Sequence, residues 1–327
     1  MESQYNELIA LFAPRMKRNV TLARFTSWRI GGPADLFFDA QTKEELVSSI
    51  VEAKKRGIPV YILGGGTNVL ISDSGVQGLV VKNHTSVITI RGMKGSVEKG
   101  KEKSVVFVEC DSGVPTNQLV RYTLDEGLRG LEMHLGLPGT VGGAVVMNAK
   151  WMNPPHFIGD VVYQVEILNS KCERMTLAHD ECRFSYGESR MQKTGECVIS
   201  VVFAFERTDT AKLWDVAERN IEYRKETQPQ GVQTAGCVFK NISASEALSA
   251  GTPQHTTSAG YLLDKAGLKG RRVGGAEFSA VHANFIITTP GARASDVLQL
   301  ISEAKERVKT VFGVRLREEI HIIGRFP

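Results

Sequence analysis

The chain has 327 residues, about two ordinary domains, and its 42% hydrophobic content supplies a core for each. Its 40 Lys+Arg against 36 Asp+Glu leave a net charge of +4, too small and too dispersed for a protein whose main partner is nucleic acid. The longest apolar runs, Val105–Val108 and Cys197–Phe205, are strand length rather than bilayer length, and Met1–Arg18 lacks the apolar block of a secretory signal, so a cytoplasmic protein without a membrane partner is expected.

In chain order, Thr42 and Glu45 form a capping box ahead of Leu46, Ile50 and Val51, and Lys54-Lys55-Arg56 precede Gly57, which predicts a helix over 43–56. Residues 58–63 read as a strand, Gly64-Gly65-Gly66-Thr67-Asn68 as a loop, and 69–71 and 79–81 as two short strands. Segment 87–103 reads as a strand running into a Lys- and Gly-rich turn, a solvated hairpin tip, with a further strand at 105–108. A helix over 116–126 ends at Gly127 and leads to a second glycine-rich loop, Gly136-Leu137-Pro138-Gly139-Thr140-Val141-Gly142-Gly143-Ala144. Strands follow at 161–168 and 198–205, then a helix near 210–225 with Leu213, Val216, Ala217 and Ile221 on one face. The rest holds a loop from 228 to 241, a strand at 284–288, a helix over 296–311 capped by Ser295, and a closing strand at 319–323. The elements interleave without a regular β-α-β period, so the fold class is α+β. Five scattered cysteines (Cys110, Cys172, Cys182, Cys197, Cys237) with no C-x-x-C pair argue against a disulfide framework or a zinc knuckle; reduced thiols are expected, four of them small core residues.

The first glycine loop does not fit a Rossmann fingerprint, because Gly66 is followed by Thr67-Asn68 and a strand instead of a helix. It reads either as a tight turn or as a nest of converging backbone N–H groups that binds an anion, with the Asn68 amide holding the turn. The second loop adds a Thr140 cap on a short helical turn and bare backbone where a ligand would approach. Two such loops on different elements fit one dinucleotide clasped between two subdomains better than two coincidental turns.

Three ordered motifs, Phe25 to Asp35, Leu63 to Ile71 and Gly136 to Asn148, resemble the FAD-binding half of the UDP-N-acetylenolpyruvoylglucosamine reductase family, also called UDP-N-acetylmuramate dehydrogenases. The second half is similar as well: Arg224 to Pro229, Ala235-Gly236-Cys237-Val238-Phe239-Lys240-Asn241, Ser258-Ala259-Gly260, Ala266 to Gly270, His282-Ala283-Asn284-Phe285 and Leu316-x-x-Glu319 follow in the family's order. The resemblance covers roughly residues 20 to 324 and points to the shorter of two subtypes. It implies a vanillyl-alcohol-oxidase-like FAD-binding fold of two subdomains plus a C-terminal α+β substrate-binding domain. The division is then an N-terminal segment 1–19, FAD-binding subdomains 20–86 and 87–207, a substrate-binding domain 208–315, and a strand segment 316–327 carrying Glu319.

The implied chemistry is reduction of UDP-N-acetylglucosamine enolpyruvate by NADPH through non-covalent FAD, by a monomer acting in peptidoglycan synthesis. Arg29, Gly64, Gly65, Gly66, Thr67, Asn68, Pro138, Gly139, Thr140, Gly142, Gly143 and Ala144 stand at cofactor positions, and Tyr186, Arg224, Gln228, Lys240, Asn241, His282 and Asn284 at substrate positions. Glu319 matches the family's carboxylate beside the developing enolate; by itself it reads as an ordinary strand-edge Glu. Cys237 stands where the common pattern has a serine proton donor, and a thiol, with a reference pKa of about 8.5, can serve; outside the motif it reads as a structural thiol. Gly187 replaces the family's substrate-binding arginine, so Arg190 becomes the candidate cation against a solvent-facing alternative, with Arg183 behind it. Asn148-Ala149-Lys150-Trp151-Met152 also departs from the usual Asn-Ala-Gly-Ala-Tyr. For His282, Asn284, Arg29 and Arg224 structural and ligand roles stay open, and Lys240 is either a phosphate ligand or solvated. The rival readings are a homologue that binds flavin or nucleotide sugar without turnover, and another FAD oxidoreductase of the same fold.

Overall fold

A computed structural model of the chain describes residues 2–98 and 101–326, and the protein divides into two compact units. The first comprises Met1–Lys17, Leu36–Gly65 and Gly78–Tyr223; the second comprises Arg18–Asp35, Gly66–Gln77 and Arg224–Pro327. Both are discontinuous, whereas the division read from the sequence is continuous. The cause lies inside the second unit, where Val69–Ile71 pairs in parallel with His321–Ile323 and Trp28 Nε1 donates to Ile286 O at 2.8 Å.

In the first unit the Thr42 hydroxyl accepts the Glu45 N–H at 3.2 Å, the Glu45 carboxylate accepts the Gln41 N–H at 2.8 Å, and the helix Lys43–Lys55 forms as expected. Its buried Leu46, Ile50 and Ala53 join Leu36, Phe38, Leu79, Val81 and Ile199 in one core cluster. Strand Val60–Leu63 pairs in parallel with Val76–Asn83, setting Leu63 opposite Lys82. A larger antiparallel sheet runs in the order Arg174–Ala178, Val162–Leu168, Cys197–Arg207, Lys101–Asp111, Ile88–Glu98, with Leu128–Arg129 paired to Cys197–Arg207. Alternate residues of its strands (Val106, Val108, Cys110, Val201, Phe203, Phe205) share a core with Leu119, Val120 and Leu124 of the helix Thr116–Asp125, as period-two patterning requires. The expected tip at Lys99 and Gly100 lies outside the described residues.

All five cysteines are free thiols. The expectation that four lie in the core needs correction: Cys110 and Cys182 are buried, but Cys197 is half-buried and Cys172 sits half-buried in a turn at φ +65°.

The second unit packs the sheet Gln233–Cys237, Phe285–Thr288, Ala276–Phe278, Arg272–Val273 with the helix Ala294–Phe312, whose Val297, Leu300, Ile301, Ala304 and Val308 are buried. This helix starts two residues before the predicted 296, and Ser295 is not its cap. The Asp73 carboxylate accepts the N–H groups of Ala294 (2.8 Å) and Ser295 (3.2 Å) instead, satisfying helix-end donors from a segment remote in sequence. The mixture of helices and mainly antiparallel sheets is α+β. Among the described residues no helix is long and apolar enough to cross a membrane.

Candidate active site

Gly64 and Gly65, which open the first glycine-rich loop, meet the second loop in the first unit. A Cβ on Gly64 would overlap Thr140 Oγ1, and one on Gly65 would stand 2.6 Å from Gly139 Cα. These glycines are therefore required first because two backbones touch, and only then because a ligand approaches. Gly142 behaves the same way: its N–H donates to Ser112 O at 2.8 Å, and a Cβ would lie 2.8 Å from Ser112 Cβ. Gly143 differs, since its Cβ position meets only Thr140 Oγ1, at 3.6 Å. Thr140 precedes the helix Val141–Val146 without a side-chain capping bond, contrary to the expected Thr cap, because its hydroxyl stands against Gly64. Ala144 is buried and Pro138 exposed.

Two residues missed in the sequence complete this region. Lys82 is buried and its ammonium donates to Gly64 O; burial holds it below the usual lysine range, with Asp39 acting in the opposite direction. Thr116 donates its N–H to Gly139 O at 3.0 Å, while its own hydroxyl is buried without a hydrogen-bond partner among the described residues. A buried cation and an unpartnered hydroxyl beside two touching backbone loops suit an anionic, hydrogen-bond-accepting group such as the diphosphate of FAD. The signal for Lys82 was present: a lysine ends the apolar run Leu79-Val80-Val81, where a buried parallel strand is ordinarily apolar.

The helix Val141–Val146 leads from this loop to Asn148, whose Nδ2 donates to Ser185 O at 2.8 Å and whose Oδ1 accepts the Gly159 N–H at 3.0 Å. Ser189 Oγ donates to Val146 O at 2.7 Å. Loop 185–189 is thereby fastened to the far end of the helix that starts at the second glycine loop. On it, Gly187 adopts φ +63° and Tyr186 lies beneath Lys150, whose Nζ is 4.5 Å from the ring centroid. Arg190 is not a solvent-facing side chain: Nε and Nη2 donate to the two Glu196 oxygens at 3.1 and 2.9 Å, and Glu196 is buried. Arg183 is exposed.

In the second unit, the segments that carry Cys237 and Glu319 run side by side. Gly236 at φ +78° makes an irregularity between Thr234 and Cys237 in the strand Gln233–Cys237. The Glu319 N–H donates to Val238 O at 2.7 Å and the Lys240 N–H to Arg317 O at 2.9 Å, so the closing segment lies along 237–240. Asn68 does not hold its own turn, as expected, but this segment: Nδ2 donates to Glu319 O at 3.1 Å, and Asn68 O accepts the His321 N–H at 2.9 Å. Asn284 clamps Phe239 through Oδ1 (2.9 Å) and Nδ2 (2.8 Å), and Asn241 Oδ1 accepts the Ala259 N–H at 3.1 Å. Burial pushes Arg224 down to about 10, with nearby Cys237 acting to raise it. Burial likewise lowers His282, whose Nδ1 accepts the Asn284 N–H at 3.2 Å. Gln228 donates its N–H to Arg224 O at 3.0 Å; Gly66 (φ +66°) abuts Phe25 O, Thr67 is half-buried, and exposed Arg29 donates to Arg24 O at 2.8 Å.

Comparison with known proteins shows which family the chain is similar to. An FAD binding domain model matches residues 34–177, which include both glycine loops, and the model for the C-terminal domain of UDP-N-acetylenolpyruvoylglucosamine reductase matches 228–323, which include Cys237 and Glu319. A protein of Halalkalibacterium halodurans named UDP-N-acetylenolpyruvoylglucosamine reductase is 32% identical over 327 residues, 99% of each chain. UDP-N-acetylenolpyruvoylglucosamine reductase 1 of Bacillus anthracis is 36% identical, covering 99% of this chain and 100% of its own. The crystal structure of the Thermus caldophilus reductase, 30% identical, superimposes with a TM-score of 0.74 over 94% of this chain and 99% of that one. The chain belongs to the UDP-N-acetylenolpyruvoylglucosamine reductase family.

Proposed function

We propose that the protein reduces UDP-N-acetylglucosamine enolpyruvate to UDP-N-acetylmuramate, consuming NADPH through FAD, as a cytoplasmic monomer in peptidoglycan synthesis. Segments 20–86 and 87–207 would hold the flavin and 208–315 the substrate. The observation that supports this reading is the hydrogen bond from Glu319 N–H to Val238 O at 2.7 Å, which runs the segment carrying Glu319 alongside the one carrying Cys237.

Gly64, Gly65, Gly139, Thr140 and Gly143, with Lys82 and Thr116 behind them, would hold the FAD diphosphate. Bound there, FAD supplies the two-electron chemistry that links NADPH to the enol ether. Reducing that double bond also requires a proton on the carbon next to the carboxylate, and the Cys237 thiol would give it. Glu319, in its protonated form, would bond to the substrate carboxylate as enolate charge develops. Arg224, Lys240 and Gln228 would meet the phosphates, while Asn241, His282 and Asn284 hold the corner's shape through the bonds described above. Arg190, occupied by Glu196, is assigned to the structure of its own loop.

Stopped-flow absorbance tests this directly: NADPH should bleach the flavin, and UDP-N-acetylglucosamine enolpyruvate should restore its colour. The absence of arginine at 187 favours a second reading, a homologue that binds without turnover. In that case NADPH would bleach the flavin and the enolpyruvyl compound would leave it bleached.

A further inference from the structure

For Glu319 to act in the reaction proposed above, its carboxyl group has to be aimed, and the backbone that carries it has to be fixed. Regular structure does not fix it. The strand His321–Ile323 begins two residues later, paired in parallel with Val69–Ile71, and the preceding residue, Glu318, makes a single bridge to Phe239. Glu319 and Ile320 form a bend between these two pairings.

The direction of a side chain follows from the two soft dihedrals of its residue, which are set by the peptide planes on either side. The plane before Glu319 is held by its N–H, which donates to Val238 O at 2.7 Å. The plane after it is held by the Glu319 carbonyl, which accepts from Asn68 Nδ2 at 3.1 Å. Asn68 is anchored in turn, because its own carbonyl accepts the His321 N–H at 2.9 Å where the parallel pairing starts. All of these residues belong to the second unit.

We propose that Asn68 is the positioning residue of Glu319: its amide fixes the peptide that follows the acid and so aims the carboxyl group, in place of the cofactor contact that its position in the glycine-rich loop suggests. An amide meets the requirement because its nitrogen donates to a carbonyl. Aspartate, of the same shape, would set a carboxylate oxygen against that carbonyl instead.

This inference rests on the reading given under Proposed function, and the test separates the two. NADPH-reduced, FAD-loaded protein is mixed with UDP-N-acetylglucosamine enolpyruvate, and flavin reoxidation is followed over a single turnover. Asn68→Ala should slow reoxidation by about ten- to a hundredfold, misplacement by about 1 Å reaching the upper figure. FAD affinity and flavin reduction by NADPH should stay at parental levels. In the Glu319→Ala background the same substitution should change reoxidation by less than about twofold, because no carboxyl group remains to be aimed. Equal slowing in both backgrounds overturns the proposal, as does an unchanged rate in Asn68→Ala. A loss of FAD affinity with parental reoxidation of the loaded fraction also overturns it and returns Asn68 to the cofactor. Should the alanine variant not fold, Asn68→Asp, which keeps the shape and loses the donor, is judged by the same comparison. A parent whose reduced flavin is not reoxidised by the enolpyruvyl compound removes the functional reading itself, and the assignment of Asn68 with it.

Discussion

The paired glycine loops of the first unit and the 234–241 corner of the second unit use backbone in opposite ways. In the loops, side chains are absent so that two backbones can touch, as at Gly65 and Gly139 Cα; the neighbouring polar groups, Lys82 and Thr116, come from a strand and a helix behind them. In the corner, side chains hold the backbone: Asn284 grips Phe239 twice and Asn68 grips the carbonyl of Glu319. Steric exclusion shapes a region that must receive a large cofactor against bare backbone. Directional bonds shape a region where three chain segments, 234–241, 284 and 317–321, are held together.

Substitutions that remove one kind of support should therefore have distinct signatures. The largest stability loss is expected for Asn284→Ala, which leaves the buried N–H and C=O of Phe239 without partners and should cost about 2 to 4 kcal/mol in urea unfolding; a loss below about 1 kcal/mol would mean that water or the frame replaces the clamp. Gly65→Leu should cost about 1 to 3 kcal/mol through overpacking against Gly139 and also give colourless protein. Its counterpart Gly143→Ala, whose methyl group has room in the protein alone, should leave the melting temperature of the flavin-free protein unchanged yet weaken FAD binding. If Gly143→Ala keeps parental FAD affinity, the open side of the loop pair is not where the cofactor lies. Asp73→Ala removes the carboxylate at the start of Ala294–Phe312 and should cost about 1 kcal/mol, the usual worth of a cap; no change in the unfolding midpoint would show that Asp296, which accepts the Arg293 N–H at 3.0 Å, suffices alone.

Much of this was legible in the sequence because the signals were local. The Thr42–Glu45 box, Gly57 and the apolar spacing of Leu46 and Ile50 specify a helix without reference to the rest of the chain. The same holds for the strand-length apolar run along 197–205. What escaped was non-local: the cap of 294–312 comes from Asp73, the cation behind Gly64 from Lys82, and the partner of Asn68 is Glu319, each from another part of the chain. The candidate site was legible in a third way. Spacing alone pointed to the glycine loops, whereas Cys237 and Glu319 stood out only through their positions within the family's motifs, because a lone thiol or strand-edge glutamate has no local signature. The occupation of Arg190 by Glu196 lies only six positions away in sequence, yet it depends on the turn at Thr194-Gly195 that brings the two side chains face to face.

The central claim is that the Cys237 thiol gives the proton in the second half of the reaction. The most direct test is the rate at which NADPH-reduced flavin is reoxidised by UDP-N-acetylglucosamine enolpyruvate, measured against pH for the parent, Cys237→Ser and Cys237→Ala. A thiol acts as an acid only while protonated, so the parental rate should fall on the alkaline side as the thiolate forms. The serine variant should stay active without that fall, because its hydroxyl keeps its proton throughout. The alanine variant should accept electrons from NADPH normally and lose about 10²- to 10⁴-fold in reoxidation, the usual contribution of a general acid. Reoxidation of the alanine variant at the parental rate, or an alkaline fall that persists in the serine variant, would contradict the claim.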